Sequence, residues 1–161
     1  MDYSETAFSN NFFDKVYTTE SLSHSPDVIK TLKEFFRILK PGGRIALFEY
    51  TIAPDDKFSP HEKKMLDAVI GGSAMLGLKQ FRHDQFPSVL RAAGFKNIET
   101  QDITTKVGPS FGRLHRLGKI PYLIVRALNA QKLFPNLTAS YEYYKMAQRG
   151  LIRYCIFVAR K

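Results

Sequence analysis

The chain has a single cysteine, Cys155, among its 161 residues. One thiol makes neither an internal disulfide nor a metal cluster, so no oxidising compartment is implied. Cys155 lies in the apolar run 151–158, which reads as a buried strand, where an inert thiol is expected rather than a nucleophile. No stretch approaches the roughly 20 apolar residues of a transmembrane helix. Residues 1–5 are acidic and polar, unlike a signal peptide, so a cytoplasmic protein is expected. His61, His83 and His115 are scattered without ligand spacing, and no metal site is expected. Acidic residues are scarce: 15 Asp and Glu stand against 24 Lys and Arg, a net charge of +9. Between positions 103 and 141 there are none, while Lys106, Arg113, Arg116, Lys119, Arg126 and Lys132 alternate with Phe111, Leu114, Leu117, Ile120 and Tyr122. Such interleaving suits peripheral contact with an anionic membrane, or a solvated face with an apolar back. No nucleic-acid module accompanies the patch, and nucleic acid is not expected as a partner.

What the chain does have is a globular composition, 44% hydrophobic and 24% charged, sufficient for one domain with a buried core. Residues 12–19 read as a strand ending in polar Thr18-Thr19-Glu20-Ser21. Over 27–40, Val28, Ile29, Leu32, Phe35, Phe36 and Leu39 share one helical face, with Ser25 as N-cap, Pro26 at the first position and Asp27 in the first turn. Pro41-Gly42-Gly43 predicts a tight turn and 44–52 a strand covered on both faces. These pieces make a βαβ unit, hence two parallel strands with a right-handed crossover. Helices are further expected from Ser59-Pro60 to Gly71-Gly72, over 83–93 with Gly94 closing, over 121–132 and over 139–149. Strands are expected over 95–104 and 151–160. No internal repeat or low-complexity linker interrupts the chain.

Glu20 stands where a strand gives way to a loop, the place at which open α/β sheets bind ligands; alternatively it charges the start of the next helix. His24 is a base, a cofactor contact or a shaper of the loop before Pro26. Glu49 interrupts an apolar strand, and because an unpaired buried carboxylate is costly it is expected to line a substrate. Tyr50 beside it is core or substrate wall. Tyr141, Tyr143 and Tyr144 read as helix packing rather than an aromatic cage.

Several of these runs resemble one family. The pattern Tyr17-x-x-Glu20-x-x-x-His24-x-Pro26, the turn Leu39-Lys40-Pro41-Gly42-Gly43, the strand end Phe48-Glu49-Tyr50, the junction Ala92-Ala93-Gly94-Phe95 and the closing Phe157-Val158-Ala159-Arg160-Lys161 are similar to the C-terminal half of class I S-adenosylmethionine-dependent methyltransferases of the sterol C-24 type. The resemblance implies an α/β, partial class I methyltransferase (Rossmann-like) sheet, without its first three strands or Gly-rich cofactor loop. Residues 1–161 would be a single truncated domain, with 53–94 and 106–150 as helical substrate-side segments. In the family a Gly-rich loop and an acidic strand end hold the cofactor, glycines admitting the ligand to the backbone and the carboxylate accepting ribose hydroxyls. The wall implied here is Asp2, Tyr3, Thr19 and Glu20, an incomplete S-adenosylmethionine site.

The same resemblance implies Glu20, Glu49 and His24 as catalytic residues and Tyr17, Tyr50, Gly71 and Gly72 as substrate contacts. Where the sterol enzymes carry a Gly-Asp-Gly-like turn, this chain reads Ile70-Gly71-Gly72-Ser73, which removes a carboxylate that would steady a carbocation and argues against sterol C-24 specificity. Three roles follow: a methyltransferase for a lipophilic sterol- or terpenoid-like acceptor, inactive alone; a methyltransferase-derived cyclase; or a non-catalytic partner, pairing with itself or a full-length homologue through an open strand edge.

Overall fold

In the computed structural model, which describes residues 2–161 and only the backbone of Ala139 and Ser140, the first strand and helix form as the hydrophobic pattern dictates. Strand β1 is Phe13–Thr19 and helix α1 is Val28–Ile38. Asp27, rather than Ser25, caps α1, its carboxylate accepting from the Lys30 amide at 2.9 Å. Ser25 is instead buried, its hydroxyl 2.8 Å from that of Thr31. Val28, Leu32, Phe35 and Ile38 fill the inner face of the helix.

Helix passes into strand directly at Leu39, and β2 runs Leu39–Ile52. The Pro-Gly-Gly segment is therefore an irregularity within β2 and not a separate turn. Phe13 pairs with Leu39 and Lys15 with Arg44, so Lys40–Gly43 bulges opposite Asp14. Gly42 takes φ +75°, and a Cβ on Gly43 would come within 2.8 Å of the Lys40 carbonyl oxygen, which is why both positions require glycine.

Helix α2, Pro60–Gly72, starts with a full capping box in which Ser59 and Glu62 satisfy each other's backbone amides. Helix α3 is Phe86–Ala92 and β3 is Lys96–Asp102. α3 begins later than position 83 because the His83 amide is bonded to the Ile52 carbonyl and its ring to Thr51, extending the sheet edge. Helix α4, Thr104–Ala127, is the largest departure from the sequence expectation of a helix at 121–132. It runs through Pro109 and Pro121, each of which removes an intrahelical bond. Packing against α5, Pro135–Gln148, compensates: Tyr122 stacks on Tyr141 at 4.2 Å and donates to buried Glu142, and His115 stacks on Tyr141 at 4.4 Å. Strand β4, Ile152–Arg160, closes the chain.

The sheet order is β1-β2-β4-β3, with β1 and β2 parallel and the other pairs antiparallel. β4 thus lies inside the sheet, where Cys155 and Phe157 are buried, and β1 occupies one edge. Buried Phe81, Phe86, Phe95 and Phe157 join Leu32, Leu39 and Leu47 in the core. No helix among the described residues is long and apolar enough to cross a membrane.

Candidate functional site

The carboxyl ends of β1 and β2 meet the C-terminal end of α2 and the start of α5 around a cavity of about 600 Å³. Its floor is built by residues that the loop after β1 holds in place. Glu20 adopts φ +52°, a left-handed conformation unfavourable for a side-chain-bearing residue, and its amide donates to the Phe48 carbonyl at 2.8 Å. The next amides, of Ser21 and Leu22, both donate to Oε1 of Glu49, at 3.1 and 2.8 Å. Glu49 is fully buried, and its Oε2 has no hydrogen-bond partner among the described residues. Burial raises its carboxyl to about 7, opposed by the backbone amides it accepts. Glu49 therefore faces the loop beneath the cavity and fixes where Glu20 stands.

Glu20, His24, Tyr50 and Gly72 line the cavity together. Glu20 is exposed at its mouth. Tyr50 lies opposite Tyr154 on the neighbouring strand, ring centroids 4.9 Å apart. Burial, then the nearby Glu20 carboxylate, holds both phenols well above the usual tyrosine range, so both stay protonated. Nδ1 of His24 sits 3.3 Å from the Ala74 carbonyl oxygen, tying the loop to the end of α2. A close backbone approach supports that tie, since a Cβ on Gly77 would meet the Ser25 carbonyl oxygen at 2.7 Å.

The other residues singled out by sequence lie elsewhere. Tyr17 is 77% exposed on the β1 edge. Gly71 is outside the lining, with open space where a side chain would go. Asp2 is exposed and accepts from the Ser4 amide, which lowers its carboxyl. Tyr3 packs on Phe35 and donates to the Ser21 carbonyl at 2.9 Å, and Thr19 is exposed at the end of β1. Asp2, Tyr3 and Thr19 are thus near the loop and outside the cavity.

Sequence reasoning missed most of the aromatic wall. Tyr143 and Tyr144 of α5 and Phe111 of α4 line the cavity, so only Tyr141 of that tyrosine group serves helix packing alone. Tyr143 contacts Tyr50 at 5.9 Å and Phe111 does so at 6.1 Å. A second cavity, about 710 Å³, lies along α4 and shares Phe111 and Tyr144; its lining includes Arg116 and Thr104 but no carboxylate. Among the described residues no group of three His, Cys, Asp or Glu could hold a metal.

A partly parallel sheet with a ligand-sized cleft at its strand ends defines an α/β protein whose site lies where such sheets place ligands. The family described as "Methyltransferase domain" matches residues 1–47. The chain is 32% identical over 151 residues to the S-adenosyl-L-methionine-dependent Diels-Alderase iccD of Talaromyces variabilis, covering 92% of this chain and 51% of that protein. It is 28% identical over 133 residues to 24-methylenesterol C-methyltransferase 2 of Oryza sativa subsp. japonica, covering 80% of this chain and 36% of the other. In fold it resembles the solved [4+2]-cyclase SpnF, with a TM-score of 0.67, 21% identity, and coverage of 100% of this chain and 54% of that one. The chain spans about half or less of the length of these relatives. The chain is thus similar to the C-terminal half of class I S-adenosylmethionine-dependent methyltransferases, those of the sterol C-24 type among them.

Proposed function

We propose that the chain forms the acceptor side of an S-adenosylmethionine-dependent enzyme acting on a lipophilic small molecule, sterol- or terpenoid-like. The observation that carries this reading is the cavity itself, an exposed carboxylate at the rim of walls made by Tyr50, Phe111 and Tyr143. Aromatic walls accept a hydrocarbon skeleton and favour cationic character at their faces. Glu20 adds negative charge where positive charge develops on the acceptor, and the Glu49 latch holds it there. His24, on the same wall, is placed to take a proton.

The residues fit one side of the cofactor. Thr19 and Glu20 would hold it at the end of β1, with Asp2 and the Tyr3 ring alongside; the Tyr3 hydroxyl is already committed to Ser21. Bound there, S-adenosylmethionine would supply an electrophilic methyl group. Across the cavity, Pro135 fills the space at Gly72 and loop carbonyls fill it at Gly77.

A second reading, cyclisation of a polyene without methyl transfer, is favoured by the protonated phenol of cavity-lining Tyr50, which suits hydrogen bonding to an acceptor carbonyl. A relative named as a Diels-Alderase adds to it. Incubation with methyl-labelled S-adenosylmethionine and a sterol or terpenoid panel tests both. Label in the organic extract supports the first reading, and conversion of a linear polyene without label supports the second. A folded chain that binds neither cofactor nor lipophile by calorimetry overturns both, leaving a non-catalytic partner role.

A further inference from the structure

Helix α4 buries one face against α5 and leaves another uncovered. Leu117 and Ile120 are each 72% exposed and Leu128 is 73% exposed, with Leu114 and Ile124 roughly half exposed between them. Leu114, Leu117, Ile124 and Leu128 recur at helical spacing and form one stripe. Leu133 and Phe134, in the turn before α5, are also exposed. Aliphatic side chains in such number on one surface mark a contact site.

Charge selects the occupant. Lys106, Arg113, Arg116, Lys119, Arg126 and Lys132 belong to the same segment as the stripe, and no Asp or Glu lies between positions 103 and 141. None of these six cations forms an ion pair among the described residues. A second copy meeting this face in a two-fold contact would set six cations against six. Nucleic acid would be served by the cations, but stacking needs aromatic rings where this stripe presents leucine and isoleucine. An anionic lipid surface satisfies both halves of the pattern, apolar side chains entering the acyl boundary and cations meeting headgroups.

The stripe also reaches the cavity. Leu114 is at once part of it and part of the cavity lining. At the opposite rim Pro135, next to Phe134, packs on cavity-lining Gly72. We infer that α4 and the turn after it lie in the plane of an anionic membrane surface and set the mouth of the cavity against the lipid, so that a lipophilic acceptor enters without crossing water. The entry route rests on the acceptor cavity proposed above; the docking does not.

Flotation of the full chain with vesicles tests it, using phosphatidylcholine alone or with about a third phosphatidylserine, at low ionic strength. The chain is expected to float with the anionic vesicles and not with the neutral ones. R113Q/R116Q/K119Q should weaken partitioning on the order of 100-fold. L117S/I120S/I124S should abolish it with an unchanged circular dichroism spectrum, since all three side chains face solvent. Absence of flotation on anionic vesicles, or unaltered flotation of the serine variant, overturns the inference. So does self-association that the serine variant removes, which would give the face to a second copy. None of these readouts depends on turnover, so failure here and failure of the acceptor reading are distinguishable.

Discussion

Glu49 and Glu20 are neighbours in space with opposite surroundings, and the contrast explains the division of labour between them. Glu49 is sealed beneath the loop and accepts the Ser21 and Leu22 amides, while Glu20 stands exposed at the cavity mouth. The Glu49 carboxyl is raised from 4.5 to about 7 in the folded chain, chiefly by burial. Its folded form therefore binds a proton more tightly than its unfolded form, so its contribution to stability is full below about 4.5 and is lost as pH rises through about 7. On that basis Glu49 makes the fold about 3 kcal/mol less stable at pH 8 than at pH 4. Glu49→Gln should flatten this part of the profile, read as unfolding midpoints in urea between pH 5 and 8; an equal slope in wild type and variant would place the titration elsewhere. Glu34 works in the opposite direction. Its hydrogen bonds to Arg37 hold it near 2, so its contribution is present above about 4.5 and fades toward 2. Glu20→Gln leaves the loop's backbone bonds in place, and is expected to lower turnover about 100-fold in the labelled-methyl assay with little change in acceptor affinity. Glu20, His24 and Tyr50 were legible as candidates because each follows or ends a strand. Phe111, Tyr143 and Tyr144 were not, because an aromatic residue in a helix carries the same local signal whether it faces the core or a cavity.

At the level of elements, the local code is most dependable where a side chain satisfies its own backbone. Helix α2 starts where the sequence places it, at Ser59-Pro60, with the Ser59–Glu62 capping box fixing that start, whereas at α1 the start moved from Ser25 to Asp27 because Ser25 found a buried partner in Thr31. Helix α4 goes furthest beyond the local code. Pro121 reads as a helix start, yet the helix begins at Thr104, since stacking of Tyr122 and His115 on Tyr141 holds the segments on both sides of the proline in line. The contact between the 3-10 turns Leu22–His24 and Leu76–Gln80 is a backbone approach that only glycine permits. Gly77→Ala would press a methyl group on the carbonyl oxygens of Leu22, Ser23 and Ser25, and backbone atoms cannot move aside as a flexible side chain does. A loss of about 1–3 kcal/mol in urea unfolding is expected. The same change should loosen the His24–Ala74 tie and weaken lipophile binding.

At the scale of the molecule, β1 pairs only with β2 among the described residues, and its other edge is open. Tyr17, on this edge, is largely exposed. An open strand edge with an exposed aromatic residue favours strand addition, so the chain should show concentration-dependent self-association in sedimentation velocity. Tyr17→Lys should reduce it by adding charge to the edge, whereas the α4 serine variant should leave it unchanged. Equal behaviour of wild type and Tyr17→Lys would show that the edge does not pair. The strongly positive net charge sets the long-range field, but its placement along α4 is what gives it a direction.

The sequence by itself determined the βαβ unit, the capped α2, the family resemblance and the basic, acid-free segment, because each is written in residues close together along the chain. Helical period, capping chemistry and the glycine requirement at Gly42 and Gly43 all act within a few residues. Tertiary structure alone decided that β4 inserts between β2 and β3, that α4 continues through two prolines and that Glu49 turns inward to the loop. It also decided that Tyr50, Phe111 and Tyr143, drawn from three different elements, share one wall. Those outcomes depend on contacts between residues up to about a hundred positions apart, such as Tyr50 with Tyr154, and no local preference encodes which distant partner will complete a packed surface.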